Sequence, residues 1–282
     1  MNEQDLFCKN TEEIRRHIGD NSTVFLLLCI VETLLSPNNK HNIMKRAFIY
    51  KDEKSHKFWW IDYSGCDFAV NYGKFDSIGK FEIKDFDTEE ECLKQAEKLI
   101  HSKEKKGYVE DTNFDFMHRI YIDSEEYGLH PKTSHPRFTE HFTEELYYDC
   151  VDEEAPFGSD EGSDTLDSLE ETIRKNPQLN FPEYPKYLIE HDWGMEYIPV
   201  ESLEPEVVKK LASKKEMDMT QSDMVTYATA FGQIKITGHL SPKLQEQGVK
   251  AIKRLALLWG NGLTEIQSRM IDDLLSFPID KD

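Results

Sequence analysis

The stretch from Lys45 to Phe86 constrains the fold more than any other part of the chain. Four short runs lie in it: Arg46 to Tyr50 (RAFIY), Lys57 to Tyr63 (KFWWIDY), Asp67 to Tyr72 (DFAVNY) and Lys80 to Phe86 (KFEIKDF). Each is rich in aromatic or β-branched residues and too short to be an independent helix, so each reads as a strand. The segments between them, DEKSH, Ser64-Gly65 and the region bracketed by Gly73 and Gly79, supply turn-forming residues. Thr88 and Glu91 then stand three apart, the spacing of a capping box, and open a helix to about Glu104. Leu93, Ala96, Leu99 and Ile100 mark its inner face, and Lys105, Lys106 and Gly107 close it. A twisted antiparallel sheet packed by one helix is the economical solution.

Charge divides the rest. The 282 residues carry 34 Lys+Arg against 54 Asp+Glu, a net charge of −20. Residues 113–205 hold 6 basic and 23 acidic groups, whereas 42–112 hold 13 and 15. Nearly all the excess therefore sits in one stretch, which places a boundary near residue 112. Beyond it, helices are expected from Ser163 or Asp164 to Lys175, Glu204 to Lys214, Ser222 to Gly232, Ser241 to Trp259 and Thr264 to Ser276. The fold class is α+β: a small sheet module at 42–112 joined to an acidic, mainly helical module at 113–282.

Residues 1–41 read as a helical extension. Asn10 caps one helix through Ile18, and Ser22 or Thr23 caps a second that stops before Pro37. The second contains the apolar run VFLLLCIV, which is too short to cross a bilayer, a span of about 20 residues. Acids precede the run and no small-residue cleavage pattern follows it, so no secretory signal is expected and a cytoplasmic location is. Five cysteines, odd in number and without a Cys-x-x-Cys pair, argue against a disulfide framework or a thiolate zinc site.

Five pieces carry a resemblance: Lys57-Phe58-Trp59, Tyr72-Gly73-Lys74, the strand ending Lys84-Asp85-Phe86, the helix TEEECLKQAEKLI and the close KEKKGYVE. In order and spacing, from Lys45 to Glu110, they resemble a WGR domain. The resemblance implies a sheet that binds nucleic acid or neighbouring domains, as the domain contacts sugar and phosphate at a DNA end in eukaryotic poly(ADP-ribose) polymerases. It places Tyr72, Gly73 and Lys74 at the name-giving tripeptide, with Phe75-Asp76-Ser77 in place of the usual Ile-Gly-Thr. Tyrosine keeps a stacking surface; lysine keeps the charge but loses the planar fork that grips phosphate in two places. The blocks SHPRF, EELYYDC, EEAPFGSDEGSDTL and ATAFGQI, from Ser134 to Trp259, are similar to the bacterial YfeS family, which implies kinship and fold but no reaction.

The candidate nucleic-acid residues are Trp59, Tyr72, Gly73, Lys74, Lys80, Lys84, Lys103 and Lys106, reading backbone or strand ends without base recognition. A second reading makes the sheet a protein-docking module, for a partner or for the chain's own acidic half. A third centres on the acids Asp152, Asp160, Glu161 and Asp164, or on His130, His135 and His141, as a metal or hydrolase site. The spacing fits neither an EF-hand loop nor a helical zinc pair, so helix capping and turn formation account for these residues more simply. No nucleophile elbow, phosphate-binding loop, dinucleotide fingerprint or His-Glu-x-x-His motif occurs, which favours a non-catalytic role with no cofactor and no membrane contact.

Overall fold

The computed structural model describes residues 45–260 and 262–279. The helices expected before Pro37 lie outside the described residues. From Lys45 onward the chain forms one compact unit. Four strands form a meander: β1 Lys45–Lys51, β2 His56–Asp62, β3 Asp67–Lys74 and β4 Lys80–Asp85. Helix α1, Glu89–Lys105, follows, with the Thr88 side chain accepting from the Glu91 amide at its start. Gly107, at φ 87°, turns the chain back. That turn delivers a fifth strand, β5 Val109–Glu110, which pairs with β1, so the all-antiparallel order is β4-β3-β2-β1-β5.

Alternation along the strands gives the sheet two faces. Phe58, Trp60 and Phe81 point to the first and are essentially buried. Just past residue 112 the chain leaves the sheet and lays Phe116 and Tyr121 on this face, 5.8 and 6.0 Å from the Trp60 ring. Arg119 spans the Phe58 ring at 4.2 Å and donates to the carbonyls of Phe75 and Ser77, clamping the turn between β3 and β4. Phe48, Trp59 and Ile61 point to the second face, which α1 partly covers while burying its own Cys92, Ala96 and Ile100. Cys92 takes the innermost place expected of Leu93, which is only half-buried.

The mainly helical part comprises α2 Pro136–His141, α3 Asp160–Lys175, α4 Tyr184–Tyr187 running into a π turn at Leu188–Asp192, α5 Pro205–Thr237, α6 Pro242–Trp259 and α7 Glu265–Ser276. Two expectations are corrected, and one element is new. Helix α3 begins at Asp160 because Ser159, rather than Ser163 or Asp164, caps it by accepting from the Gly162 amide. The helices expected at Glu204 and Ser222 are one element, α5, broken only by non-helical dihedrals at Lys215. The two-residue β5 carries too short a pattern to be anticipated.

From Ser222 to Ile236, α5 is buried on every side. Its last carbonyls, which a helix cannot satisfy internally, accept from outside: Ile236 from the Tyr121 amide and Lys235 from the His135 amide. The Lys235 ammonium is fully buried between Asp123 and Glu170, 2.9 Å from each. Burial pushes it down, but the two carboxylates outweigh that and hold it above the usual lysine value. Burial likewise raises the carboxyls of Glu170 and Asp123, against the pull of Lys235. One hydrophobic cluster runs from Trp60 and Phe81 through Tyr121 to Phe231 and Leu274, joining the core face of the sheet to the helices. Among the described residues, no helix is long and apolar enough to cross a membrane.

Candidate nucleic-acid interface

Strand register arranges the outer face in rows. Tyr50, Lys57 and Lys74 form the first, because Tyr50 opposes Lys57 and Lys57 opposes Lys74. Phe48, Trp59, Tyr72 and Lys80 form the second, and Arg46, Ile61, Val70 and Glu82 the third. Phe68 and Lys84 continue the series. Like charges directly opposed across a ladder destabilise it unless a counter-charge intervenes. Lys57 and Lys74 are exposed, and no carboxylate lies within 4.0 Å of either among the described residues.

Beside this pair, Lys103 reaches back from the last turn of α1 into three aromatic rings. Its Nζ lies 5.1 Å from the centroid of Trp59, 5.6 Å from Tyr72 and 5.5 Å from Tyr108. Half-burial and the neighbouring Lys106 lower its pKa, against the pull of Glu82. The Tyr72 hydroxyl donates to Glu82 Oε1 at 2.6 Å, a bond that pushes the phenol up to about 12. The stacking surface expected of Tyr72 therefore faces an ammonium group belonging to the chain itself.

A groove of about 580 Å³ runs on from Tyr72 between α1 and β4. Val70, Phe68 and Trp59 form its floor, Gln95, Leu99 and Lys103 line the helix side, and Glu82 and Lys84 the strand side. Glu126, from beyond residue 112, also lines it. The tight turn that carries Glu126 is anchored to β4 by the Tyr127 hydroxyl, which donates to Asp85 at 2.6 Å.

The candidate residues thus fall into four groups. Trp59, Tyr72, Lys84 and Lys103 share the groove, although Trp59 is 2% exposed and serves as floor. Lys74 stands one row away, and Lys106 is exposed at the C-cap of α1. Lys80 is drawn toward Glu82 at 3.8 Å and Glu125 at 4.0 Å. Gly73 has a steric role: a Cβ there would lie 2.8 Å from Ser77 Oγ and 2.9 Å from Gly79 Cα. Lys57, Tyr108 and Glu126 were not among the candidates. Lys57 shares the parity of Trp59 in KFWWIDY, the one signal that points to it; Tyr108 and Glu126 arrive only through tertiary folding.

The acidic block acts as local scaffolding. Asp149 Oδ1 accepts from the amides of Val151 and Asp152, Asp152 Oδ1 from that of Glu154, and Glu154 accepts from the Thr264 hydroxyl. His135 is buried, accepting from the Arg137 amide through Nδ1 and bonding the Met117 carbonyl through Nε2, which fixes it neutral. Burial lowers its pKa to about 4. His141 bonds the Asp273 carbonyl and His130 pairs with Asp67. Among the described residues, no group of three or more His, Cys, Asp or Glu side chains converges as a metal site.

Residues 44–115 match the WGR domain family. Over 241 residues the chain is 56% identical to a protein of Escherichia coli (strain K12) described as "Uncharacterized protein YfeS", a match covering 83% of this chain and 99% of that relative. A second protein of that strain, "Protein YehF", is 45% identical over 65 residues, covering 23% of this chain and 24% of its own length. A crystal structure of a Bacteroides fragilis protein aligns at 30% identity over 47% of this chain and 39% of that one, with a TM-score of 0.24.

Proposed function

The chain belongs to the YfeS family and carries a WGR domain, and from that premise we propose that the outer face of its sheet binds the backbone or end of a nucleic acid. The observation that carries this reading is the opposed pair Lys57 and Lys74, two exposed cations held side by side by register with, among the described residues, no carboxylate within 4.0 Å of either; Asp52 acts on Lys57 only from farther off. A phosphate between them relieves their repulsion and satisfies both. Lys103 and Lys106 extend the patch along the end of α1, and Lys80 and Lys84 flank it on β4. Trp59 and Tyr72 hold Lys103 in place, while Gly73 shapes the turn that presents Lys74.

Lysines act as point charges and lack the bidentate grip of arginine, so binding is weak and independent of sequence along the strand. The net charge of −20 does not forbid it. At physiological salt the screening length is about 8 Å, so a ligand at the patch responds mainly to nearby groups. The test is fluorescence anisotropy of a 5′-phosphorylated nicked duplex at low and moderate salt. Binding should weaken with salt and with Lys74→Ala. Absence of binding at low salt, or indifference to that substitution, refutes the reading.

A further inference from the structure

The groove beyond Tyr72 sets two carboxylates, Glu82 and Glu126, against the ammonium groups of Lys84 and Lys103, so its charges balance and it suits a phosphate less well than the row of Lys57 and Lys74 does. Its floor is apolar, and its walls offer two carboxylates, the Gln95 amide and the ammonium groups of Lys84 and Lys103. At about 580 Å³ it falls within the range of small-ligand sites, roughly 300–1,000 Å³. The geometry along the strands relates it to the cation pair. Rows on one sheet face are two residues apart, about 7 Å, so Lys57 and Lys74 lie one row before Tyr72 and Val70 and Glu82 one row after it. A ligand spanning these rows carries its anion at one end and a flat, hydrogen-bonding body at the other. A nucleotide has that build.

We infer that the groove receives the unpaired base of a strand's terminal nucleotide, guanine in preference to adenine, while its phosphate lies on Lys57 and Lys74. The inference rests on the nucleic-acid reading above and deepens it. A base stacked inside a duplex cannot enter, so an unpaired end is favoured over a blunt one. Guanine presents N1–H and N2–H₂ side by side, two donors that one carboxylate accepts together. Adenine presents an acceptor beside a single donor, and its N1 would face a carboxylate oxygen. Glu82 Oε1 already accepts from Tyr72, whereas neither oxygen of Glu126 takes part in a hydrogen bond or ion pair among the described residues. Glu126 is therefore assigned the recognition of guanine. It lies beyond the residues matching the WGR family, so the acidic half supplies a wall of the site.

The experiment uses the full chain and three 5′-phosphorylated duplexes, identical except for a blunt end, one unpaired 5′ dG or one unpaired 5′ dA. The dG end should bind about tenfold more tightly than the blunt end and severalfold more tightly than dA, the scale of one good bidentate contact. Glu126→Gln should erase the preference for dG over dA without lowering the Tm. Gln95→Trp, which fills the groove from its rim, should remove the advantage of either overhang and leave blunt-end binding intact. Lys74→Ala should weaken all three alike. Equal affinities for the three ends, all reduced by Lys74→Ala, overturn this inference and leave the backbone reading standing. Failure of all three to bind, or binding indifferent to Lys74→Ala, overturns both.

Discussion

The two faces of one sheet are built from the same strands, yet the outer face, where Arg46 pairs with Glu110 and Lys80 lies near Glu82, also holds two opposed lysines with no acid within 4.0 Å among the described residues. On the core side Lys45 pairs with Asp62 at 3.5 Å and lies against Trp60 and Tyr121. Arg119 is spent on two carbonyls and Lys132 on Asp67 and Ser64. Each of these cations is built into the structure and cannot serve a ligand without a cost comparable to breaking a buried pair. On the outer face Lys57 and Lys74 oppose each other, and Lys103 is held by rings rather than by an acid. Cation–π contact holds an ammonium in place without an opposite formal charge to neutralise it, as a salt bridge would. Partnership, rather than the number of lysines, locates the anion site.

The comparison breaks first at the core. Trp60→Ala should cost about 3–5 kcal/mol, and because Trp60 touches both Phe81 and Phe116, sheet and helices should still unfold in one transition. Denaturation followed by far-ultraviolet circular dichroism and by aromatic fluorescence checks this; separated midpoints for the two signals contradict the shared core. The acid limb comes next. The His135 imidazole is held at about 4 against an ordinary 6.5, so the unfolded chain takes up a proton below pH 6.5 that the folded chain refuses. The His135 contribution to stability is therefore full above pH 6.5 and is lost as the pH falls toward 4, by about 3 kcal/mol in all, while the raised carboxyls of Glu170 and Asp223 pull the net profile the other way. Urea titrations of the parent and of His135→Gln, which keeps a donor for Met117, isolate it: between about pH 7.5 and 4 the variant's stability should gain on the parent's by about that amount. An equally steep profile in that variant sinks the assignment.

The outer face supplies the smaller effects. Lys74→Ala should lower affinity for the nicked duplex severalfold and reduce the salt slope by about one. It should leave the Tm unchanged or slightly raised, since a like-charge opposition disappears. A clear fall in Tm would mean that Lys74 has a structural role. Lys84→Ala is the mildest. Its ammonium sits over Phe86 at 5.3 Å, three rows from Lys74, so affinity should stay within about twofold. A loss as large as that of Lys74→Ala would move the phosphate site to β4.

Short-range signals accounted for the sheet and its helix. Short aromatic and β-branched runs between turn residues marked the four main strands, and Thr88 with Gly107 marked both ends of α1. The same signals failed where two choices were locally equivalent. Three residues near 160 are good caps, and burial of the Gly162 backbone against Pro156 and Phe157 decides for Ser159. At Lys215 the break is a single residue, too small to end a helix whose flanks both pack. The site was legible only as a list of lysines and aromatics. Lys57 and Lys74 become neighbours through the register of β2 and β3, and Lys103 meets Tyr72 across 31 positions of sequence. Glu126 reaches the groove from the acidic half, and neither composition nor periodicity records such a contact.

The most direct test removes equal charge from two places. Lys57→Ala with Lys74→Ala deletes the opposed pair, whereas Lys209→Ala with Lys250→Ala deletes two lysines of the helical part that already face Glu206 and Glu246. Titrating both double variants and the parent chain with the nicked duplex over a range of salt gives three slopes of log affinity against log salt. The account predicts a slope shallower by about two for the first variant and unchanged for the second. Equal changes in both would show that binding follows overall charge and that the outer face holds no site.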